Sequence, residues 1–127
     1  MRGRRTRTPL AEARGLGSAK EGAAHWWAQR VTAMALVPLT IWFVGSLLAL
    51  TGGDHSTFVV WLRSPFNTVV MVVFVVAAFY HMALGLRVVV EDYIHDARIK
   101  IFAIAIIQIG CFILSITGIV SIIMVIT

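Results

Sequence analysis

Charge and cysteine are what this sequence has little of. Only 13% of its 127 residues are charged and six are acidic, where an ordinary soluble domain carries about 25% charged residues. That excludes a soluble globular domain. Its one cysteine, Cys111, lies inside an apolar run, which excludes an internal disulfide and any multi-cysteine metal or iron–sulfur site. No polar stretch is long enough for a catalytic domain outside a bilayer. Any chemistry therefore sits within the membrane, at its surface, or on a partner chain. What the chain does have is 59% hydrophobic residues and a mean hydropathy of +0.88. These residues fall in three long blocks parted by short polar stretches, the pattern of a polytopic membrane protein.

The net charge of +5 is not a nucleic-acid signal, because seven of the eleven Lys and Arg residues lie within the first thirty positions and no aromatic platform accompanies them. Residues 1–24 read as a basic tail, and residues 25–127 as a three-helix membrane-anchor domain. The tail lacks the apolar core of a secretory signal. Its Arg-rich, acid-poor composition resembles a mitochondrial presequence, but it equally serves retention on the cytoplasmic side and contact with anionic head groups.

The first span is expected at about residues 26–50, with Trp26 and Trp27 at the interface, Arg30 just inside the start and a slight kink at Pro38. The break at Thr51–Ser56 reads as a turn, followed by a short interfacial stretch to Arg63. The second span starts near Pro65 and covers about 66–90; the third covers about 101–126 and holds no ionisable residue. The polar stretch between them, 91–100, reads as a loop. The tail, Arg87, Arg98 and Lys100 share one side, against Arg63 alone on the other. The fold class is thus all-α: an integral membrane protein with three transmembrane helices, amino terminus inside and carboxyl terminus outside. With no internal repeat, a transporter built of inverted repeats is disfavoured.

His81 needs an explanation, since it lies about nine residues, roughly 14 Å, from the inner end of the second span. For an imidazole at that depth the options are a haem iron, a proton path, or a hydrogen bond to a neighbouring helix. Ala77, His81 and Gly85 lie four apart and share a helix face with small residues on either side of the ring. A flat macrocycle fits such a face, and so does close packing of a second helix. Haem propionates want arginine partners, for which Arg30 is better placed than Arg87. Arg87 instead suits snorkelling to head groups. Asp92 and Tyr93 stand about 18 Å beyond His81 at the inner surface, where a phenol can donate to a carbonyl or simply serve as an interfacial aromatic. His25, Trp26, Trp27, His95, Asp96 and Arg98 crowd the same surface, as a docking face, a proton route or ordinary solvated loop residues.

The run from His81 to Gly85, followed by Asp92-Tyr93, reads H-x3-G-x6-D-Y and resembles the small hydrophobic membrane-anchor subunit of succinate dehydrogenase, respiratory complex II. The upstream segment His25-Trp26-Trp27-Ala28-Gln29-Arg30 is similar to that family's entry into the first span, and the 51-residue separation of Arg30 from His81 fits its bacterial members. The resemblance covers roughly residues 18–127. The tail before Gly17 is longer and more basic than in many bacterial relatives, and His95-Asp96 follow the DY pair where other members vary.

The resemblance implies that His81 is an axial iron ligand of haem b, with the other ligand supplied by a second anchor subunit. Arg30 would pair with a propionate, Tyr93 would hydrogen-bond ubiquinone, and Asp92 would help organise the quinone site. It further implies an iron–sulfur subunit and a flavoprotein subunit as partners, no catalytic residue in this chain itself, and residence in the bacterial cytoplasmic membrane rather than the mitochondrial inner membrane. The alternatives are the anchor of a fumarate reductase or another haem b quinone oxidoreductase, and a haem-free structural or transporter subunit in which His81 only bonds a neighbouring helix.

Overall fold

The computed structural model describes residues 8–10 and 19–127, so most of the basic tail lies outside the described residues. Among the described residues from 19 onward, four helices follow one another: α1 (Ala19–Ala49), α2 (His55–Leu62), α3 (Pro65–Tyr93) and α4 (Ala97–Ile126). There is no strand among the described residues. Among the described residues three helical segments are long and apolar enough to cross a membrane: Gly22–Ala49, Pro65–Tyr93 and Ala97–Ile126, of 28, 29 and 30 residues. At the α-helical rise they extend about 42–45 Å, which exceeds a hydrocarbon core of about 30 Å.

The local sequence explains where each helix starts and stops. Pro38 lies within α1 without interrupting it, as a lipid-embedded helix permits when neighbouring groups satisfy the freed carbonyl. The chain then turns through Gly52, whose φ of 87° lies in the left-handed region that glycine enters without steric cost. Asp54 caps α2, its Oδ1 accepting from the Thr57 amide at 2.9 Å, the Ser56 hydroxyl at 2.6 Å and the Thr57 hydroxyl at 3.0 Å. These three donors, led by Ser56, hold the Asp54 carboxyl down at about 2. Pro65 occupies the first turn of α3, where its missing N–H costs nothing.

The polar stretch 91–100, expected as a loop, is mostly helix. Glu91, Asp92 and Tyr93 complete the last turn of α3, and Arg98 and Lys100 belong to the start of α4. The connection shrinks to 94–96, with Asp96 capping α4 by accepting from the Arg98 and Ile99 amides at 2.9 and 3.1 Å. Polarity marks where the hydrocarbon ends; Glu, Arg and Lys are nonetheless good helix formers and carry the helices on into the interface. Asp96 thereby has a capping role that the readings of its surface cluster had not included.

The α3 helix is central. It packs against both α1 and α4, whereas α1 and α4 do not meet; α2 leans on the start of α3 and the end of α4. The arrangement is an open layer, and its buried residues are few: Leu62, Met71, Cys111 and Ile122 among those described. Three of them gather at the α2 end, surrounded by Trp42, Phe43, Phe58, Trp61 and Phe74. There Trp42 stacks on Trp61 at 5.6 Å and Phe43 on Phe74 at 4.9 Å between ring centroids. Gly118 lets α3 and α4 approach, since a Cβ at that position would lie 2.9 Å from Val75 Cγ1. Small residues drive helix contact in lipid, where solvent does not force apolar surfaces together.

Arg63 closes the same end. Its Nε donates to the Ile126 carbonyl at 3.2 Å, satisfying a carbonyl that α4 leaves unpaired and setting a cation at the negative end of that helix. Asn67 and Thr68 donate to the Trp61 and Leu62 carbonyls, so the last carbonyls of α2 are also occupied.

Candidate haem and quinone site

His81 lies between α1 and α3 and is partly buried. Its Nδ1 stands 2.8 Å from Thr32 Oγ1 on α1, and among the described residues the ring has no other hydrogen-bond partner. Nε2 is left uncommitted. The ring borders an open groove of about 410 Å³ whose other walls are Ala33, Leu36, Val37, Thr40 and Ile41 of α1. No three His, Cys, Asp or Glu side chains come together among the described residues, so His81 is the lone nitrogen ligand this groove offers.

Arg30 precedes Ala33 by one helical turn and shares its side of α1. Its guanidinium rests over the Trp26 ring, 5.1 Å from the centroid, and among the described residues it meets no carboxylate. Trp26 and Trp27 sit edge to face at 5.4 Å, and both are more than half exposed, at 53% and 58%. This pair belongs at the membrane interface, where an indole keeps its N–H near water.

Arg87 is engaged elsewhere. Its Nε donates to Glu91 Oε1 at 2.8 Å, one turn further along α3. The pair keeps the Glu91 charge from facing the negative end of the helix alone, and the i,i+4 spacing was a visible signal for it. Glu91 lies toward the interfacial end of α3, the direction in which Arg87 was expected to reach. A second cavity of about 420 Å³ lies between α3 and α4, bordered by Tyr80, Arg87, Cys111 and Ser115 among mainly apolar neighbours; it holds none of the expected site residues.

Tyr93 ends α3 and is 80% exposed; Asp92 beside it is exposed too, and neither has a hydrogen-bond partner among the described residues. The structure therefore splits the expected site residues. Arg30 and His81 belong to the groove side, while Asp92 and Tyr93 stand free at the end of α3. Two further polar groups lie between these places: His25 Nε2 and Gln29 Oε1 are buried without a hydrogen-bond partner. Gln29 Nε2 sits 3.7 Å from where a Gly85 Cβ would be, so Gly85 is where α1 closes on α3.

Thr32 was missed by sequence reasoning. The available signal was a hydroxyl residue two positions after Arg30 at the start of an apolar span, but its partner lies 49 positions away, and only packing brings them together.

Three membrane-length helices, a histidine within the second of them with one free ring nitrogen, and exposed polar residues at one end define an integral membrane protein of the helical class. The family described as succinate dehydrogenase/fumarate reductase transmembrane subunit matches residues 4–117, and the chain belongs to it. The chain is 37% identical over 105 residues to the succinate dehydrogenase hydrophobic membrane anchor subunit of Rickettsia conorii, covering 82% of this chain and 83% of that one. It is 33% identical over 93 residues to the subunit of the same name from Paracoccus denitrificans, covering 73% and 72%. A succinate dehydrogenase membrane anchor subunit from Reclinomonas americana is 29% identical over 93 residues, covering 71% and 78%. No solved structure matches significantly.

Proposed function

We propose that this chain anchors a succinate:quinone oxidoreductase in the bacterial cytoplasmic membrane, holding half of a haem b and part of the ubiquinone-reduction site. The observation that carries the haem reading is the His81 ring, tethered at Nδ1 and free at Nε2 beside an apolar groove. Haem b bound there supplies a one-electron relay. On this chain, His81 would hold the iron through Nε2 and Arg30, one turn before Ala33, would pair with a propionate. A second ligand would come from a partner anchor subunit. Tyr93, exposed at 80% and unpaired, donates its phenolic O–H to a quinone carbonyl, and Asp92 helps organise that surface against the second anchor and the iron–sulfur subunit. The flavoprotein subunit completes the assembly and carries out succinate oxidation.

The orientation we infer follows from charge: the tail, Arg87, Arg98 and Lys100 inside, Arg63 outside. Unpartnered atoms on His25 and Gln29 support a chain completed by other molecules, because a buried polar group left unpaired costs about 1–3 kcal/mol.

The test is purification of the chain from its native membrane in mild detergent, with a reduced-minus-oxidised visible spectrum of what comes with it. Co-purification of a flavoprotein, an iron–sulfur protein and a second anchor, with b-type haem bands, supports the reading. A colourless chain recovered alone, from a preparation that keeps other membrane complexes intact, overturns it in favour of a haem-free subunit.

A further inference from the structure

Resting on the haem reading above, we infer that Thr32 is a positioning residue for His81: its hydroxyl accepts the hydrogen of His81 Nδ1 and so directs the Nε2 lone pair to the metal. The argument begins with counting hydrogens. Thr32 Oγ1 has three neighbours within hydrogen-bond distance, the Ala28 carbonyl at 2.7 Å, the Gln29 carbonyl at 3.1 Å and His81 Nδ1 at 2.8 Å. A hydroxyl has one hydrogen to give and lone pairs to receive. Both carbonyls can only accept, and the nearer, Ala28, lies one turn back, where a helical threonine hydroxyl habitually donates. With its hydrogen directed there, Oγ1 meets His81 as an acceptor. The imidazole must then carry its hydrogen on Nδ1, and Nε2 is the nitrogen with the free lone pair.

Three consequences follow for a ring that ligates iron. The tautomer is set before the haem arrives, because the alternative would bring the bare Nδ1 lone pair against a lone pair of Oγ1 at 2.8 Å. The ring plane is held by a bond to a different helix, so α1 and α3 must be packed before the ligand is aligned. Finally, hydrogen bonding of a ligand's second nitrogen raises its basicity toward the metal, which favours ferric over ferrous iron and lowers the haem potential.

The hydroxyl is the part that matters, so the informative changes keep the residue's size. Thr32→Val replaces the hydroxyl by a methyl, and Thr32→Ser keeps the hydroxyl while losing the methyl. Each is introduced into the full complex, and haem content per complex and the haem midpoint potential are measured by spectroelectrochemical titration, together with His81→Ala. Loss of the acceptor is expected to change the ferric-to-ferrous affinity ratio by roughly tenfold, the lower end of what such supporting partners contribute. For a one-electron couple this raises the potential by about 59 mV, while Thr32→Ser stays at the wild-type value. A wild-type potential and haem content in Thr32→Val overturn the inference. Where the valine form does not assemble, Thr32→Ala removes the same acceptor and is read in the same way. Retention of normal haem in His81→Ala instead overturns the haem reading beneath it, so the two failures are distinguishable.

Discussion

The two ends of this membrane layer are built on different principles. At the α2 end, Leu62, Met71 and Ile122 are buried beneath a ring of aromatics, Arg63 covers a carbonyl of α4, and Asp54 caps α2 with one oxygen. The chain meets its own needs there. At the Tyr93 end, no described residue beyond Cys111 is buried, two polar atoms lack partners, and the phenol and carboxylate proposed to meet quinone stand exposed. An end that satisfies itself fixes the helices relative to one another; an end that does not is where, on the proposed reading, other subunits and cofactors would do so. The difference teaches where to look for function in a chain with so little core of its own.

The largest effect that would sharpen this contrast is at His81. Replacement by alanine should remove most haem from the purified complex, seen as loss of the b-type bands, while the midpoint of thermal unfolding of this chain's aromatic end changes little. Loss of that end's packing with normal haem would reverse the comparison. Next comes the core itself: Leu62→Ala should destabilise the α2 end by about 2–3 kcal/mol, within the range for truncating a buried leucine. The same change at Leu36, which borders the open groove, should cost well under half of that. Thermal melts of the two variants in detergent decide the matter, and equal losses would mean the ends are not distinct.

Tyr93→Phe should lower succinate:quinone reductase activity by roughly tenfold, the equivalent of one hydrogen bond worth about 1.4 kcal/mol. Dye-coupled succinate oxidation should be unchanged, since Tyr93 makes no contact on which the fold depends. Equal loss of both activities would argue that the residue is structural. The smallest effect concerns Asp54. Its carboxyl is held at about 2 against an ordinary 3.8, so the folded state favours the charged form. The cap's contribution is fully present above pH 3.8 and fades as the pH falls through about 2. Amide exchange at Thr57 should therefore be insensitive to side-chain titration from about pH 5 to 8 and faster in Asp54→Ala; unchanged exchange in Asp54→Ala would mean the cap is dispensable.

Much of the fold was legible in the chain. Long apolar runs without charge can bury their backbone in lipid only as helices, and this alone gave three membrane-length elements close to where they lie. The errors fell where polarity was read as loop. Glu91 to Tyr93 and Arg98 to Lys100 are helical because their side chains reach water while their backbone bonds continue along the axis. Among the site residues, His81 was conspicuous by its depth and Tyr93 by its place at the edge, whereas Thr32 carried no sign of its importance. Arg87 and Glu91 were a pair that spacing could have named.

What the sequence determined by itself was the membrane class, the number of membrane-length helices and the place of each unusual side chain along its helix, because hydrophobicity and helical rise are local quantities. Its family motif added the expected roles of His81, Arg30, Asp92 and Tyr93. Only the tertiary structure decided that α3 is central, that α1 and α4 stay apart, that Arg63 ends on α4, and that the partner of His81 is Thr32. These are relations between segments far apart in the chain, and in lipid they depend on shape and hydrogen bonding rather than on a hydrophobic pattern that a single helix could display.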